Sequence, residues 1–120
     1  MPHIKLEHTE NVSINLIKPI FKKLIVILLE HANVKENNCK CKAIQIPVYA
    51  MGIGANSIYY YHLEILLLKG RSKDIIEKIG QQSLQVLKDC FTNQNRKRVK
   101  QFSVEIRDIN PDCYFTSNTI

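Results

Sequence analysis

No apolar run in this 120-residue chain is long enough to cross a bilayer. The longest, Leu24 to Leu29 and Ile65 to Leu68, fall far short of the roughly 20 residues that a spanning helix needs. The start also lacks the basic-then-apolar pattern of a secretory signal, so a soluble, cytoplasmic protein is expected. No Gly/Ser/Pro-rich linker or low-complexity block divides the chain, which predicts a single domain over 1–120. The four cysteines, Cys39, Cys41, Cys90 and Cys113, offer one C-x-C and no second pair at zinc spacing. Without a secretory start they do not read as a disulfide framework. Cys39 and Cys41 read as two thiols on one strand face, since residues two apart on a strand point the same way. His3, His8, His31 and His62 include no HExxH or other metal pair, and no Ser-His-Asp or Cys-His spacing stands out. Neither a metal nor a cofactor is expected.

What the chain does have is positive charge and a repeat of pattern. The formal net charge is +6 and the isoelectric point about 9.2, which favours anionic partners without choosing between nucleic acid and small carboxylates. The order of elements repeats. In the first half, His3 to His8 alternates as a strand. A helix follows from about Lys18 to Ala32, with Pro19 suited to its first turn and apolar residues at Ile20, Leu24, Ile27/Leu28 and His31. A second strand runs from about Cys39 to Val48, and Pro47 confines its end to an edge or bulge. Met51 to Asn56 reads as a loop whose glycines are too few for a phosphate loop.

The second half opens with a strand from Ile58 to Leu68. Gly70-Arg71-Ser72 turns into an amphipathic helix carrying Ile75, Ile79, Ser83, Val86/Leu87, Cys90 and Phe91, and a last strand runs from about Val99 to Arg107 before Asn110-Pro111. The prediction is an α+β fold. Two βαβ units, pseudo-repeats over about 1–50 and 57–110, form a four-stranded sheet with two helices on one face. Alternation assigns Ile4, Leu6, Tyr61, Leu63, Ile65, Phe102, Val104 and Ile106 to the helix side. It assigns His3, Lys5, Glu7, Tyr60, His62, Glu64, Ser103, Glu105 and Arg107 to the other. That second face either meets water or lines an oligomer, where its opposite charges must pair. A ferredoxin-like domain has the same element order.

Four residues draw attention for chemistry. Pro2 directly follows Met1. Removal of Met1 would leave a secondary amine anchored to a strand, and burial or neighbouring cations would strip its proton. The alternative is an inert Met-Pro start. Arg71 stands where a helix begins, a place at which a cation opposes the helix dipole. The position makes sense if a carboxylate fills the gap between the free N–H groups and the guanidinium; otherwise Arg71 is a surface arginine in a turn. Ser72 is a plausible N-cap, with Asp74 in the first turn. Lys40 and Lys42 share a strand face and repel unless an anion intervenes, or else lie on a solvated face. Arg96-Lys97-Arg98 with Lys100 is the densest basic cluster. No aromatic residue is interleaved to stack bases, so it reads as a solvated connection.

Taken together, three stretches resemble one family. They are the opening Met1-Pro2-His3-Ile4 with Leu6-Glu7, the central Gly70-Arg71-Ser72 leading into its helix, and the closing Phe102-Ser103-Val104-Glu105-Ile106-Arg107-Asp108-Ile109-Asn110-Pro111. The family is the 5-carboxymethyl-2-hydroxymuconate isomerases of the tautomerase superfamily. The resemblance implies a homotrimer with sheets lining the centre, Pro2 as catalytic base after loss of Met1, and Arg71 binding a substrate carboxylate. The family's Arg-x-Arg on the second strand reads Lys40-Cys41-Lys42 here, which keeps the charge and loses the planar bidentate grip. The expected function is a cofactor-free keto–enol isomerase acting on an unsaturated hydroxy di- or tricarboxylate, with Lys40 and Lys42 binding substrate and no nucleic acid or membrane as partner. The competing readings are a non-catalytic trimeric interaction module and a basic anion- or nucleic-acid-binding ferredoxin-like domain.

Overall fold

The computed structural model describes residues 1–53, 58–94 and 98–119. Gly54, Ala55 and Asn56 of the expected loop and Arg96 and Lys97 of the basic cluster lie outside the described residues. The elements are β1 (His3–His8), α1 (Ile14–His31), β2 (Lys40–Gln45), β3 (Ile58–Leu68), α2 (Lys73–Phe91) and β4 (Val99–Ile109), with short 3-10 turns at Glu36–Asn38 and Pro111–Cys113.

The four strands form one sheet in the order β2-β1-β3-β4. β1 pairs β2 and β3 pairs β4 in parallel, while β1 and β3 are antiparallel at the centre. A split ferredoxin-like unit separates the strands of each βαβ; here each helix connects two adjacent strands, so that competitor is excluded. The fold is α+β, as the pattern predicts.

The alternation of faces is that read from the sequence. Ile4, Leu6, Tyr61, Leu63, Ile65 and Leu67 are buried beneath the helices. From α1 come Ile17, Ile20, Leu24, Ile27 and Leu28, and from α2 come Ile79, Ser83, Leu87 and Phe91. On the other face His3, Lys5, Glu7, His62 and Glu64 are half-buried. No helix among the described residues is long and apolar enough to cross a membrane.

Three boundaries differ from expectation. α1 begins at Ile14, because the Ser13 hydroxyl accepts from the Asn15 N–H at 3.2 Å and caps a turn upstream of the apolar periodicity. Pro19 therefore lies inside the helix rather than in its first turn. It removes the N–H that would bond the Asn15 carbonyl; burial of Ile17 and Ile20 on either side carries the helix through. β2 ends at Gln45, short of Val48, although the Ile46 N–H still reaches the His8 carbonyl at 2.8 Å. β4 continues past Arg107 to Ile109, in register with Leu68.

Candidate active site

The head of β1 is held inside the sheet. Pro2 is buried, and its carbonyl accepts the Lys40 N–H at 3.0 Å from the start of β2. Pro2 and Arg71 line one cavity of about 230 Å³, together with Asn33, Lys35 and Asn38 from the α1–β2 connection and Leu67 and Leu68 from the end of β3. Asn33 turns the chain after α1 with φ of 53°, a left-handed position that asparagine tolerates better than most residues. Gly70, at φ of 129°, turns the chain out of β3 where a side chain would be strained. Ser72 then caps α2, its hydroxyl accepting from the Ile75 N–H at 3.3 Å.

Arg71 does not sit idle against the α2 dipole. Its guanidinium donates to the Leu68 carbonyl at 2.7 Å and to the Ala32 carbonyl at 2.8 Å. Ala32 is the C-cap of α1, so the cation meets the negative end of one helix while it stands at the start of another. The Met1 amine at this cavity is held below the ordinary α-amino range. Burial is the main cause; Lys40 and Arg71 add to it and Cys39 opposes it. Here Met1 precedes Pro2, and the proline nitrogen is an amide.

Lys40 and Lys42 are not among the residues that line this cavity. They are exposed on the opposite sheet face, beside His3 and Lys5 of β1. His3 is pushed down from the usual imidazole range, chiefly by burial and then by Lys40, Lys42 and the N-terminal amine. Further along this face the opposite charges pair within one chain. His62 lies 2.6 Å from the Ser103 hydroxyl and 3.4 Å from Glu105, Arg107 bonds Glu105 at 2.9 Å, and Glu64 lies 3.6 Å from Arg107 and 3.7 Å from Lys5. The Glu105 carboxyl is held low mainly by its bonds from Arg107.

The basic cluster is corrected at Lys100. Its side chain is only 4% exposed and pairs with Glu10 at 3.1 Å, while the ammonium donates to the Phe91 carbonyl at 2.6 Å. Tyr61 donates to the same Glu10 carboxylate. Burial and that bond push the Tyr61 phenol far up. A run of like charges hides such a partner, because Glu10 comes from the far end of the sequence. The Arg98 guanidinium lies 5.1 Å over the Tyr59 ring. The pseudo-repeat did hold a signal: the offset carrying Ser13 onto Ser72 and Ile4 onto Leu63 also carries Pro2 onto Tyr61.

Two βαβ halves joined through antiparallel central strands, with a proline heading the first and an arginine opening α2, define the tautomerase fold. A 5-carboxymethyl-2-hydroxymuconate isomerase from Deinococcus radiodurans R1 superimposes with a TM-score of 0.84 at 25% identity, over 98% of this chain and 90% of that one. A fused 4-OT symmetric trimer (TM-score 0.76, 12% identity, 98% and 94% covered) and a macrophage migration inhibitory factor-like protein from Entamoeba histolytica (TM-score 0.70, 13% identity, 98% and 96% covered) share the fold. The chain belongs to the 5-carboxymethyl-2-hydroxymuconate isomerase family, whose model matches residues 2–120. No curated protein sequence matches it. Family and fold together support an isomerase function of the tautomerase type.

Proposed function

We propose that the chain, once Met1 is removed, is a cofactor-free keto–enol isomerase of an unsaturated hydroxy acid bearing at least two carboxylates, such as 5-carboxymethyl-2-hydroxymuconate. The observation that carries this reading is the shared cavity of Pro2 and Arg71, where burial and cations hold the present terminal amine, that of Met1, below its ordinary proton affinity. Pro2 takes the proton from the dienol hydroxyl, the double bonds shift, and the same proton or its equivalent returns to carbon. Nothing is oxidised or reduced overall. Arg71, pinned by two carbonyls, directs its remaining N–H groups at a substrate carboxylate and at charge building on the conjugated system.

Lys40 and Lys42 serve the other end of the substrate. Their place on the opposite face suits a homotrimer in which they reach a neighbouring subunit's cavity, an arrangement favoured by the trimeric relatives that share the fold. Lys100 is spent on Glu10 and Arg98 on Tyr59. This weighs for a small carboxylate and against a phosphate-tracking patch for nucleic acid. Cytoplasmic action on a product of aromatic-compound breakdown accords with the family.

The test is ketonisation of 5-carboxymethyl-2-hydroxymuconate by protein whose intact mass shows Met1 gone. Positioned proton transfer of this kind is worth on the order of 10²–10⁴ in rate, so Pro2→Ala should lose that much of kcat/KM at unchanged thermal stability. Full activity in that variant, or in protein that keeps Met1, would sink the base assignment.

A further inference from the structure

The segment after β4 returns to the head of the sheet. Asn110 and Pro111 end the strand, and the Asn110 side-chain oxygen accepts from the Asp112 N–H at 3.0 Å, closing the 3-10 turn Pro111–Cys113. β4 ends beside the end of β3, which lies beside the start of β1. The turn therefore needs only a short reach to bring Tyr114 over the polar sheet face. There its hydroxyl lies 3.0 Å from His3 Nε2 and 3.5 Å from the Lys40 ammonium, and the His3 and Tyr114 rings meet edge to face with centroids 5.8 Å apart.

The Lys40 end of this trio has a fixed direction. A lysine ammonium only donates and a phenol has a single hydrogen. Lys40 donates to the phenol oxygen, and in one tautomer of His3 the phenol hydrogen goes to Nε2. That chain needs a neutral imidazole with its own hydrogen on Nδ1, and the surroundings of His3 disfavour its protonation. Lys42, on the same face, has no hydrogen-bond or ion-pair partner among the described residues. Two exposed ammonium groups beside an imidazole whose protonation is disfavoured concentrate positive charge that an anion would offset.

We propose that Tyr114 is a positioning residue: with His3 it holds the Lys40 ammonium beside Lys42 to receive the second carboxylate of the substrate. This rests on the isomerase reading above. A free lysine stem loses rotamer entropy when it grips a ligand, and holding the ammonium beforehand removes part of that cost. The phenol touches lysine rather than the reacting atoms, so its effect belongs to ligand capture.

Tyr114→Phe removes only the hydroxyl. For a substrate with two carboxylates, KM should rise about tenfold while kcat stays within about twofold, the signature of lost uniform binding. For an analogue with one carboxylate, both should stay unchanged. His3→Gln, whose side-chain oxygen can accept the phenol hydrogen, should stay near the parent, and His3→Leu should match Tyr114→Phe. Equal effects on both substrates, or a fall in kcat alone, would overturn the positioning role. Titration with fumarate, a dicarboxylate that cannot ketonise, separates this proposal from the isomerase reading. Fumarate held more tightly by the parent than by Tyr114→Phe supports it even if turnover is absent. Equal affinity, or no binding to the parent, overturns it, while turnover that depends on Pro2 would leave the isomerase reading standing.

Discussion

The two halves of this chain build the same corner twice and use it differently. At the end of α1 the Ala32 carbonyl receives Arg71, and beside it Pro2 borders an open cavity. At the end of α2 the pseudo-equivalent Phe91 carbonyl receives Lys100, and beside it Tyr61 stands where the repeat puts Pro2. There the space is filled: Tyr61 stacks on Phe91 with centroids 4.2 Å apart, and Glu10 satisfies both the ammonium and the phenol. A cation drawn to a helix C-terminus is favourable in both corners. The second corner supplies its own carboxylate, while no acidic side chain among the described residues lines the cavity of the first. One copy of the corner is thus filled and internally paired, and the other borders an open cavity.

Removing the internal carboxylate is the strongest way to break this contrast. Glu10→Ala strands a buried ammonium and a buried phenol, and breaking such a pair costs about 3–5 kcal/mol, to be read from denaturant unfolding. If Glu10 occupies a carboxylate site, added formate or acetate should restore part of that loss in the variant and leave the parent unmoved. A smaller loss is expected for Tyr61→Phe, about 1.5–3 kcal/mol for a bond to a charged group. Because the folded Tyr61 phenol is held protonated, with its pKa above the unfolded one, its share of stability is complete below pH ~10. That share is lost as pH rises beyond this point, where the unfolded chain ionises first. In Tyr61→Phe this contribution to the alkaline decline should vanish. The smallest effect sharpens the open corner. If the surroundings that lower the Met1 amine act alike on a freed Pro2 amine, kcat/KM should rise with pH through a midpoint below the ordinary α-amino range. In Arg71→Ala the residual activity should show that midpoint moved upward, since a cation disfavouring the ammonium is gone.

Much of the fold could be read locally. Alternation in β1, β3 and β4 sorts the two faces because a strand's period is fixed by its backbone, and Ser72 announces α2 through its own hydroxyl. Pro19 is a strong local sign of a first turn, whereas the structure caps α1 upstream of the apolar periodicity, through the Ser13 hydroxyl and the Asn15 N–H. Within the candidate site, Pro2 and Arg71 share a cavity, which their separate motifs pointed toward. The carbonyl partners of Arg71, the burial of Lys100 and the approach of Tyr114 to His3 were not legible. Each joins residues far apart in sequence, and a charge or a hydroxyl carries no mark of the partner it will meet.

The bond from the Lys40 N–H to the Pro2 carbonyl also has a consequence in time. In the folded chain Met1 is half-buried at the cavity and Pro2 is fastened to β2. An aminopeptidase needs the first residues loose and extended. Synthesis runs at about 5–20 residues per second, so a few seconds separate the emergence of Met1 from that of β2, and β3 follows later still. The trimming that would create the amine therefore belongs to that interval, before the sheet closes over its own first residue.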